Sequence, residues 1–553
     1  MAQRVTIIGP PGTGKTTALK RIYKFLTGNK DPDVIGFITK YRLDTLLKDT
    51  YSSIFDDVIF ITFTTSAVKV LKERDVDNVY TMHSYITRLL FKNKVVSYKA
   101  LQRDVFASVM IQLGYGYDFR DRFSSHPSNV AKSQYSYYYN VFYNKNDKEV
   151  LQIIRDHEDK RIYDRINSYV AWKNEHGMVD YVEVLRKFLN SNIKTLSLDE
   201  EEENEPRVLI LDEVQDFSPL QWAVVHRLEE IGSFDYIIVA GDPNQSIYAF
   251  QGATPSQFRE FIDKSTLEIV LDKSFRLPSL VQKKAEMLTK WLGTTWKYLP
   301  KEEAGSVRVI KMKKRHLSYL DNKLLEEILP VLRRAQKLKK SVYILLRTNK
   351  QVKDFERRVI GEGYSVSRIK DDYSLSDLFD EVLEFEETGY LGELLYYAIL
   401  STSEEATTLR NTARNKNDVS DLQLIELLEK YFNEQTLENT RDPASIIEFA
   451  RFIQNNYLEV LSEDEKELYS LMKSRKNGYK LFVDTMHASK GEEADIVIVI
   501  DFVNSRIKKE IARSKKALEE EVRTLYVAMT RAREELYIIT SNSKNNILQH
   551  IRF

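Results

Sequence analysis

The chain has 553 residues, which is enough for about three or four domains with cores of their own. Its 82 Lys and Arg residues balance its 82 Asp and Glu residues, so it lacks the strong net charge of many nucleic-acid binders, although local basic clusters occur. It contains no cysteine, which excludes disulfides, thiol catalysis and cysteine-based metal sites. No apolar run approaches the ~20 residues of a membrane span, and the N-terminus leaves no room for a leader. We therefore expect a soluble cytoplasmic protein without membrane contacts.

The first predicted elements lie in the stretch VTIIGPPGTGKTTALKRI, residues 5–22. An apolar, strand-like run precedes a glycine-rich turn and a helix-forming segment, and the turn matches the pattern G-x-x-x-x-G-K-[ST]. In such a loop the glycines let backbone N–H groups close on phosphate oxygens, the lysine reaches the terminal phosphates and the hydroxyl meets Mg²⁺. The sequence therefore predicts a nucleotide site formed by Gly9, Pro10, Pro11, Gly12, Thr13, Gly14, Lys15, Thr16 and Thr17.

Farther along the chain, apolar strand-like runs alternate with helical patterns. The runs are VIFITFT, RVLILDE, YIIVAGD, SVYILLRT, KLFVDTMH, DIVIVID and ELYIIT, and most of them precede a helical segment. Val- and Ile-rich strands that alternate with helices are typical of parallel sheets covered on both faces, with reactive loops at the carboxyl ends of the strands. Residues 92–205 and 361–478 interrupt this alternation with helical spacing. We expect two α/β domains, each with a largely helical insertion.

Polar side chains follow several of these predicted strands. Asp212 and Glu213 stand where VLIL ends, a position at which one carboxylate can hold the Mg²⁺ of a nucleotide and its neighbour can polarise a water. Gln245 follows the next strand, where its amide can sense a terminal phosphate. Arg276 and Arg531 occur in DKSFR and LYVAMTRARE. An Asp-Glu pair alone is usually just surface, so its position downstream of a phosphate loop is what favours a catalytic interpretation.

The order of nine motifs resembles the UvrD/Rep-like DNA helicases of superfamily 1. The motifs are GPPGTGKTT, ITFTTSAVKVLKER, TMHSYITRLL, LDEVQDFSPLQ, GDPNQSIYAFQGA, LDKSFR, LLRTNKQ, TMHASKGEEADIV and EEEVRTLYVAMTRARE. The resemblance implies two RecA-like P-loop NTPase core domains. It assigns residues 1–91 and 206–270 to the first core, 271–360 and 479–553 to the second core, and 92–205 and 361–478 to the two insertions.

The resemblance also implies roles in ATP hydrolysis for individual residues. The phosphate loop and Asp212 would hold ATP and Mg²⁺, and Glu213 would activate the attacking water. Gln245 would report the γ-phosphate. Arg276 and Arg531 fall in the second core, so they would act as arginine fingers across a cleft, where each stabilises charge on the transferring phosphoryl group.

Other positions match nucleoside and DNA contacts of the family. Phe275 matches a position that stacks on the base, although such a ring could equally be core, and Glu493 matches a residue that touches the ribose or couples to DNA. Aromatic stacking suits a single strand that is bound without sequence preference. The positions that match DNA-facing residues of the family are Phe63, His83, Phe250 and His487.

Two departures from the family pattern bear on specificity. The upstream glutamine motif with which the family reads adenine has no confident counterpart here, so triphosphatase activity is better supported than strict ATP preference. Gln251 stands where the family usually has an arginine, which removes one cation that would contact DNA or nucleotide.

Two functions of different classes fit these observations, and an RNA-directed motor is a weaker third. The first is an ATP-driven motor that walks 3′ to 5′ along single-stranded DNA and separates the duplex at junctions. The second is a nucleotide-switched DNA-binding or accessory protein in which hydrolysis acts as a timer. The two arginine fingers and Glu213 favour the motor, because a binding module needs neither.

Overall fold

The computed structural model describes residues 2–29, 31–47, 58–97, 100, 105–117, 126–198, 206–364, 366 and 480–551. A first sheet contains β1 (Gln3–Ile8), β2 (Val58–Thr62), β3 (Val79–Thr81), β4 (Val208–Leu211), β5 (Tyr236–Gly241) and β6 (Leu267–Val270). The six strands lie in the order β3-β2-β4-β5-β1-β6, and every neighbouring pair is parallel.

Twelve helices accompany these strands in the described residues. In chain order they are α1 (Lys15–Leu26), α2 (Pro32–Lys40), α3 (Leu43–Leu46), α4 (Thr65–Lys72), α5 (Met82–Lys92), α6 (Phe106–Gln112), α7 (Pro127–Val141), α8 (Asp147–His157), α9 (Lys160–Glu175), α10 (Tyr181–Leu189), α11 (Pro219–Ile231) and α12 (Pro255–Asp263). Helices α1 to α4 pack on one face of the sheet, and α5, α11 and α12 pack on the other.

Alternate side chains of each strand enter two different hydrophobic cores. On β2, Val58 and Phe60 pack under α1 to α4, whereas Ile59 and Ile61 face α5 and α11. Successive side chains of a strand point to opposite faces, so a strand buried on both faces needs an uninterrupted apolar run. The register then brings the carboxyl ends of β1, β4 and β5 to one edge, since Ile8 pairs with Gly241 and neighbouring strands end level with them.

A second sheet contains β7 (Ser306–Lys311), β8 (Val342–Leu346), β9 (Leu481–Thr485), β10 (Ala494–Ile500) and β11 (Ala532–Thr540). These strands are also parallel and lie in the order β7-β11-β10-β8-β9. The helices centred on residues 314–361 cover one face, and those of residues 279–291 and 505–550 cover the other. The helices are α13 (Ser279–Trp291), α14 (Lys314–Tyr319), α15 (Asn322–Leu338), α16 (Asn349–Gly361), α17 (Ser505–Arg513), α18 (Lys515–Met529) and α19 (Ile547–His550).

Two parallel sheets with helices on both faces confirm the predicted α/β class. Helices α6 to α10 fall within the first predicted insertion, residues 92–205, and the exact domain boundaries stay predictions. The second predicted insertion, residues 361–478, lies outside the described residues apart from 361–364 and 366. None of the helices in the described ranges combines the length and the apolar character that a membrane crossing requires.

A buried lysine ties three helices of the first insertion together. Lys173 on α9 is 1% exposed, and its Nζ donates to the Tyr135 hydroxyl at 2.9 Å and to Asp180 Oδ2 at 3.3 Å. The hydroxyls of Tyr135 on α7 and Tyr169 on α9 also donate to Asp180 Oδ2, at 2.6 and 2.9 Å. Asp180 Oδ1 in turn caps the N-terminus of α10. Burial alone would lower the pKa of Lys173, but Asp180 and Glu183 outweigh it and raise that pKa, so the lysine stays charged.

We predict that Lys173→Met destabilises the insertion, because it leaves the Asp180 carboxylate buried without its cation. Breaking a buried ion pair from one side costs about 3–5 kcal/mol, which should appear as a clear drop in melting temperature. Lys173→Met combined with Asp180→Asn removes both charges, and the amide oxygen can still cap α10 while the amide NH2 donates to the tyrosine hydroxyls, so the double variant should recover part of the loss. A single variant that melts with the wild-type protein would contradict this account of the network.

Candidate active site

The loop between β1 and α1 forms a cradle that only glycine permits. Gly12 and Gly14 have positive φ angles of 72° and 79°. A Cβ on Gly9 would lie 1.9 Å from Lys15 Cγ, so a side chain there would collide with the lysine. The loop opens at the N-terminus of α1, where unpaired backbone N–H groups and the helix dipole favour a phosphate. This geometry suits the predicted nucleotide site.

The end of β4 brings two carboxylates to the same place. Thr16 Oγ1 donates to Asp212 Oδ2 at 2.6 Å, across 196 residues of sequence. Lys15 Nζ donates to the Gly9 carbonyl at 3.3 Å and lies 3.6 Å from Glu213 Oε1. Glu213 has a φ of 56°, a left-handed conformation that is uncommon for a residue with a side chain and that turns its carboxylate back toward the loop.

The Thr16 hydroxyl and the Asp212 carboxylate at this edge are oxygen ligands of the kind that Mg²⁺ takes from proteins. The described ranges contain no group of three or more His, Cys, Asp or Glu side chains that would form a closed metal cage. Mg²⁺ usually keeps several waters and takes only one or two protein carboxylates together with substrate phosphates. Thr16 and Asp212, already in contact, supply one hydroxyl and one carboxylate of that kind.

The electrostatics distinguish the two carboxylates. Burial and the adjacent Glu213 charge raise the pKa of Asp212 above its ordinary value. Burial also opposes ionisation of Glu213, but Lys15 and Lys490 outweigh it and lower the pKa of Glu213. Glu213 Oε2 accepts a hydrogen bond from Gln215 Nε2 at 2.5 Å. The Glu213 carboxylate is therefore an oriented anion at neutral pH, which is the state that a proton acceptor requires.

The strand next to β4 contributes Gln245, which contacts the second sheet. After β5, the 3₁₀ turn Pro243–Gln245 places the Gln245 amide so that its Nε2 donates to Asp242 Oδ2 at 2.8 Å. Arg531 Nη2 donates to Gln245 Oε1 at 3.2 Å. Arg531 lies between α18 and β11 and is 2% exposed. Burial and nearby Arg276 lower its pKa to about 9, so the guanidinium remains charged at neutral pH.

The segment that follows β6 runs along the outside of the phosphate loop. The backbone N–H of Phe275 donates to the Gly12 carbonyl at 2.8 Å, and Ser274 Oγ donates to the Pro11 carbonyl at 2.8 Å. The Phe275 ring is 71% exposed, so it is not a core ring. Arg276 Nε donates to Glu493 Oε2 at 2.6 Å, and thus Arg276 and Glu493 meet at the edge of the same cleft.

The residues predicted to face DNA do not all lie together. Phe250 is 37% exposed, and its ring stands edge-on to His487 with 6.1 Å between the ring centres. Phe63 is linked to this pair through Tyr248, at 5.4 Å. His83 on α5 instead stacks on Tyr181 of α10, with 3.4 Å between ring centres, and faces the insertion. Burial together with Arg347 and Lys490 lowers the pKa of His487 well below its ordinary value, so this ring is neutral at pH 7.

Phe250 and His487 line a groove of about 1510 Å³ between the two sheets. Its walls also carry side chains of α7 and α16 and the start of α17, including Tyr137, Lys350 and Arg506. Aromatic rings and separated cations are the groups that bind a single strand of nucleic acid without reading its sequence.

Comparison with protein-family models identifies the family. The model described as the UvrD-like helicase C-terminal domain matches residues 135–543, and the model of the UvrD/REP helicase N-terminal domain matches residues 1–266. The chain belongs to the UvrD-like helicases.

Similar proteins of known name agree with this assignment of a UvrD-like helicase. YjcD of Bacillus subtilis, named as an ATP-dependent DNA helicase, is 23% identical over 90% of this chain and 74% of its own length. A DNA helicase II homologue of Mycoplasma capricolum is 22% identical over 97% of this chain and 82% of its own length. The F-box DNA helicase protein 1 of Schizosaccharomyces pombe is 25% identical over 60% of this chain but only 33% of its own length.

The resemblance predicted from the motifs is therefore confirmed. As a UvrD-like helicase the chain is an enzyme that uses ATP and acts on DNA. The roles of individual site residues stay predictions, as do Mg²⁺, the polarity of movement and the form of DNA that is bound.

Lys490 is a site residue that sequence reasoning missed. It follows β9, and its Nζ contacts the carboxylate of Asp216 and donates to the Gln245 backbone carbonyl at 3.0 Å. It also lies 5.2 Å from the centre of the Tyr248 ring. Lys490 thus links the second sheet to the segments that follow β4 and β5. A signal was present, because Lys490 lies in the motif TMHASKGEEADIV directly after a predicted strand end.

We predict that Lys490→Met weakens the closed arrangement of the two sheets and lowers DNA-stimulated ATP turnover. The Asp216 side chain is completely buried, and losing its cation leaves a buried charge, at a cost of about 3–5 kcal/mol. Melting temperature and steady-state ATPase measurements report the two effects. Adding Asp216→Asn should restore the melting temperature but not the turnover, because the contact with Gln245 is still missing. Wild-type turnover in Lys490→Met would refute the linking role.

Proposed function

We propose that this helicase hydrolyses MgATP in the cleft between its two sheets and uses the cycle to move 3′ to 5′ along single-stranded DNA and to separate the duplex at junctions. The observation that carries the proposal is the convergence on Gln245. Arg531 and Lys490 reach this one residue from the second sheet, and Gln245 follows the strand next to the catalytic carboxylates. Hydrolysis and the relative position of the sheets are therefore linked through the same contacts.

Nucleotide binding is assigned to residues 9–17. Backbone N–H groups of the loop and the first turn of α1 surround the phosphates, and Lys15 moves from Gly9 and Glu213 to the terminal phosphate oxygens. Thr16 and Asp212, which contact each other in the structure, would supply the hydroxyl and the carboxylate that hold Mg²⁺. The ion held there would supply positive charge that offsets the charge of the phosphate oxygens. The exposed Phe275 ring beside the loop offers a stacking surface for the base.

Glu213 is assigned to activate the attacking water. Its lowered pKa keeps it ionised, and its hydrogen bond from Gln215 fixes the carboxylate. The Glu213 carboxylate accepts a proton from the water as its oxygen bonds to the γ-phosphorus, while the bond from that phosphorus to the bridging β-phosphate oxygen breaks and ADP leaves. Gln245 orients the γ-phosphate for this attack.

Arg531 and Arg276 are assigned as arginine fingers. Arg531 Nη2 already sits on the Gln245 amide, so a γ-phosphate held by Gln245 would lie within reach of the guanidinium. Arg276 is fixed at the cleft edge by Glu493, which also binds Arg533 at 3.2 Å. Glu493 therefore orients one finger and stays available to the ribose side of the site. Such a finger is worth about 10³–10⁵ in turnover.

DNA binding is assigned to the groove that contains Phe250 and His487. Bases stack on these rings, Phe63 adjoins them through Tyr248, and groove cations such as Lys350 bind the phosphates. The groove lies directly beyond Gln245, since only residues 246–249 separate Gln245 from Phe250. A change at the γ-phosphate can thus move a stacking surface for DNA.

We predict that Lys15→Ala and Glu213→Gln both abolish ATP hydrolysis but differ in nucleotide binding. Lys15→Ala removes a phosphate contact and should bind nucleotide weakly. Glu213→Gln leaves the cradle intact and should hold unhydrolysed ATP. Fluorescent-nucleotide binding and single-turnover hydrolysis measure the two properties, and normal turnover in Glu213→Gln would remove its role in water activation.

The same preparations test the motor in a single-turnover strand-displacement assay on duplexes with a 3′ or a 5′ single-stranded tail. The wild-type protein should displace the strand from the 3′-tailed DNA duplex with ATP, and Glu213→Gln should not. Displacement from only the 5′-tailed duplex would reverse the polarity. Hydrolysis without displacement from either would favour the nucleotide-switched accessory protein, and displacement confined to RNA duplexes would favour the RNA-directed motor.

A further inference from the structure

The C-terminal end of α7 contacts two segments that lead away from the nucleotide site, residues 213–218 after β4 and residues 245–252 after β5. Asn140 Nδ2 donates to the Gln251 backbone carbonyl at 3.2 Å. Asn140 Oδ1 accepts a hydrogen bond from Ser218 Oγ at 3.4 Å. Ser218 is the N-cap of α11, and Gln251 ends the short 3₁₀ turn Ala249–Gln251. One amide side chain of the insertion therefore bridges two loops of the first sheet.

The loop that contains Gly252 lies very close to the C-terminal end of α7. Gly252 has a φ of +90°, and a Cβ at this position would lie 2.9 Å from Val141 Cγ2 and 3.7 Å from Pro219 Cδ. A glycine is needed here both for the backbone conformation and for the space. The loop after Phe250 is thus packed tightly against the end of α7, so a displacement of one of them must displace the other.

Both bridged segments begin at residues assigned to the γ-phosphate. The chain runs from Glu213 through the 3₁₀ turn Val214–Asp216 to Ser218. It runs from Gln245 through Phe250 to Gln251. The two partners of Asn140 consequently lie five residues after Glu213 and six residues after Gln245, the groups that would respond to ATP and its hydrolysis, on two independent paths.

Helix α7 does not yield locally, because its middle is fixed. Tyr135 belongs to the buried network with Lys173 and Asp180, which joins α7 to α9 and α10. A buried polar network whose members are hydrogen-bonded to one another holds its elements in one arrangement. A displacement imposed at Asn140 is therefore passed to these three helices together.

The same helix forms a wall of the DNA groove. Val130, Ser133, Gln134 and Tyr137, which recur at helical spacing on one side of α7, line the groove that contains Phe250. Moving α7 relative to the first sheet would change the width of that groove next to the stacking ring.

We propose that Asn140 is a positioning residue that couples the nucleotide state of the cleft to the α7 wall of the DNA groove. Asn140 touches neither ATP nor DNA. It transmits changes in the segments 213–218 and 245–252 to the insertion, so that the affinity of the groove for single-stranded DNA differs before and after hydrolysis. This inference rests on the proposed function, because it takes Glu213 and Gln245 to border the γ-phosphate.

The direct test is a coupling measurement on the full-length protein. The affinity for a fluorescent single-stranded oligonucleotide is measured with and without a non-hydrolysable ATP analogue, and the ratio of the two affinities is the coupling. Asn140→Ala should move this ratio toward one by about tenfold, the scale of losing one or two hydrogen bonds. DNA-free hydrolysis should stay within about twofold of wild type, whereas the number of base pairs separated per ATP should fall in parallel with the ratio.

Ser136→Ala is the matched control. Its hydroxyl accepts from the same Asn140 Nδ2 at 3.4 Å within α7, but it belongs to the helix itself and not to the bridge. This variant should retain the wild-type ratio. A merely structural role of Asn140 would lower the melting temperature and weaken DNA binding equally with and without the analogue, leaving the ratio unchanged, and this result would overturn the proposal.

A distance measurement gives an independent answer. The sequence contains no cysteine, so two introduced cysteines can be labelled without background. Lys148→Cys on α8 and Asp263→Cys at the end of α12 place fluorophores on the insertion and on the first sheet. The distance should change on addition of the analogue, and Asn140→Ala should abolish the change. An equal change in both proteins would refute the coupling.

The two proposals fail in different ways. If Glu213→Gln hydrolyses ATP normally, or if the wild-type protein binds DNA equally well with and without the analogue, the proposed function of the cleft is wrong. The role inferred for Asn140 is then wrong as well. If the wild-type protein shows coupling and strand separation and Asn140→Ala shows both equally, only the role of Asn140 is wrong.

Discussion

The contact between the Arg531 guanidinium and the Gln245 amide is the interaction on which the rest of the site depends. Arg531 is buried, its Nε is held by the Val527 carbonyl at 2.9 Å, and burial with Arg276 nearby lowers its pKa. A buried cation beside another cation is costly unless an anion compensates for it. The proposed account gives that task to the γ-phosphate. In that account, closing the two sheets on ATP would bring together charges that otherwise repel, so hydrolysis and closure would occur as one process.

Positive and negative side chains are paired at the cleft, just as they balance over the whole chain. Three cations of the cleft have a carboxylate partner in the structure. The pairs are Lys15 with Glu213, Lys490 with Asp216 and Arg276 with Glu493. These pairs hold long, flexible side chains near their working positions, so less ordering remains to be done when nucleotide enters. Each of these three cations depends on a carboxylate from a different part of the chain, so phosphates that bind Lys15 or Arg276 would have to replace existing contacts.

Much of the fold and part of the site could be predicted from the sequence. The parallel sheets follow from buried Val- and Ile-rich runs such as residues 208–211, and in a parallel sheet the residues after such runs meet at one edge, which is why Asp212 and Gln245 were correctly placed there. The motif drew attention to the segment that contains Lys490, but neither its partner Asp216 nor the bridge made by Asn140 could be predicted. Both contacts join segments that periodicity does not relate to each other, and a buried lysine such as Lys173 looks like a surface charge in sequence. The DNA contact that its motif position indicates for His83 stays a prediction, and the stacking of its ring on Tyr181 could not be read from the sequence.

The central claim is that Gln245 and Arg531 act as one unit at the γ-phosphate. A double-mutant cycle on DNA-stimulated kcat, with Gln245→Ala, Arg531→Ala and the double variant, tests it most directly. Arg531→Ala should lower kcat by about 10³ or more. The double variant should be no slower than the slower single variant, because each side chain needs the other to act. Losses that multiply in the double variant would mean that the two residues act independently, and the account of a cleft closed through their contact would be wrong.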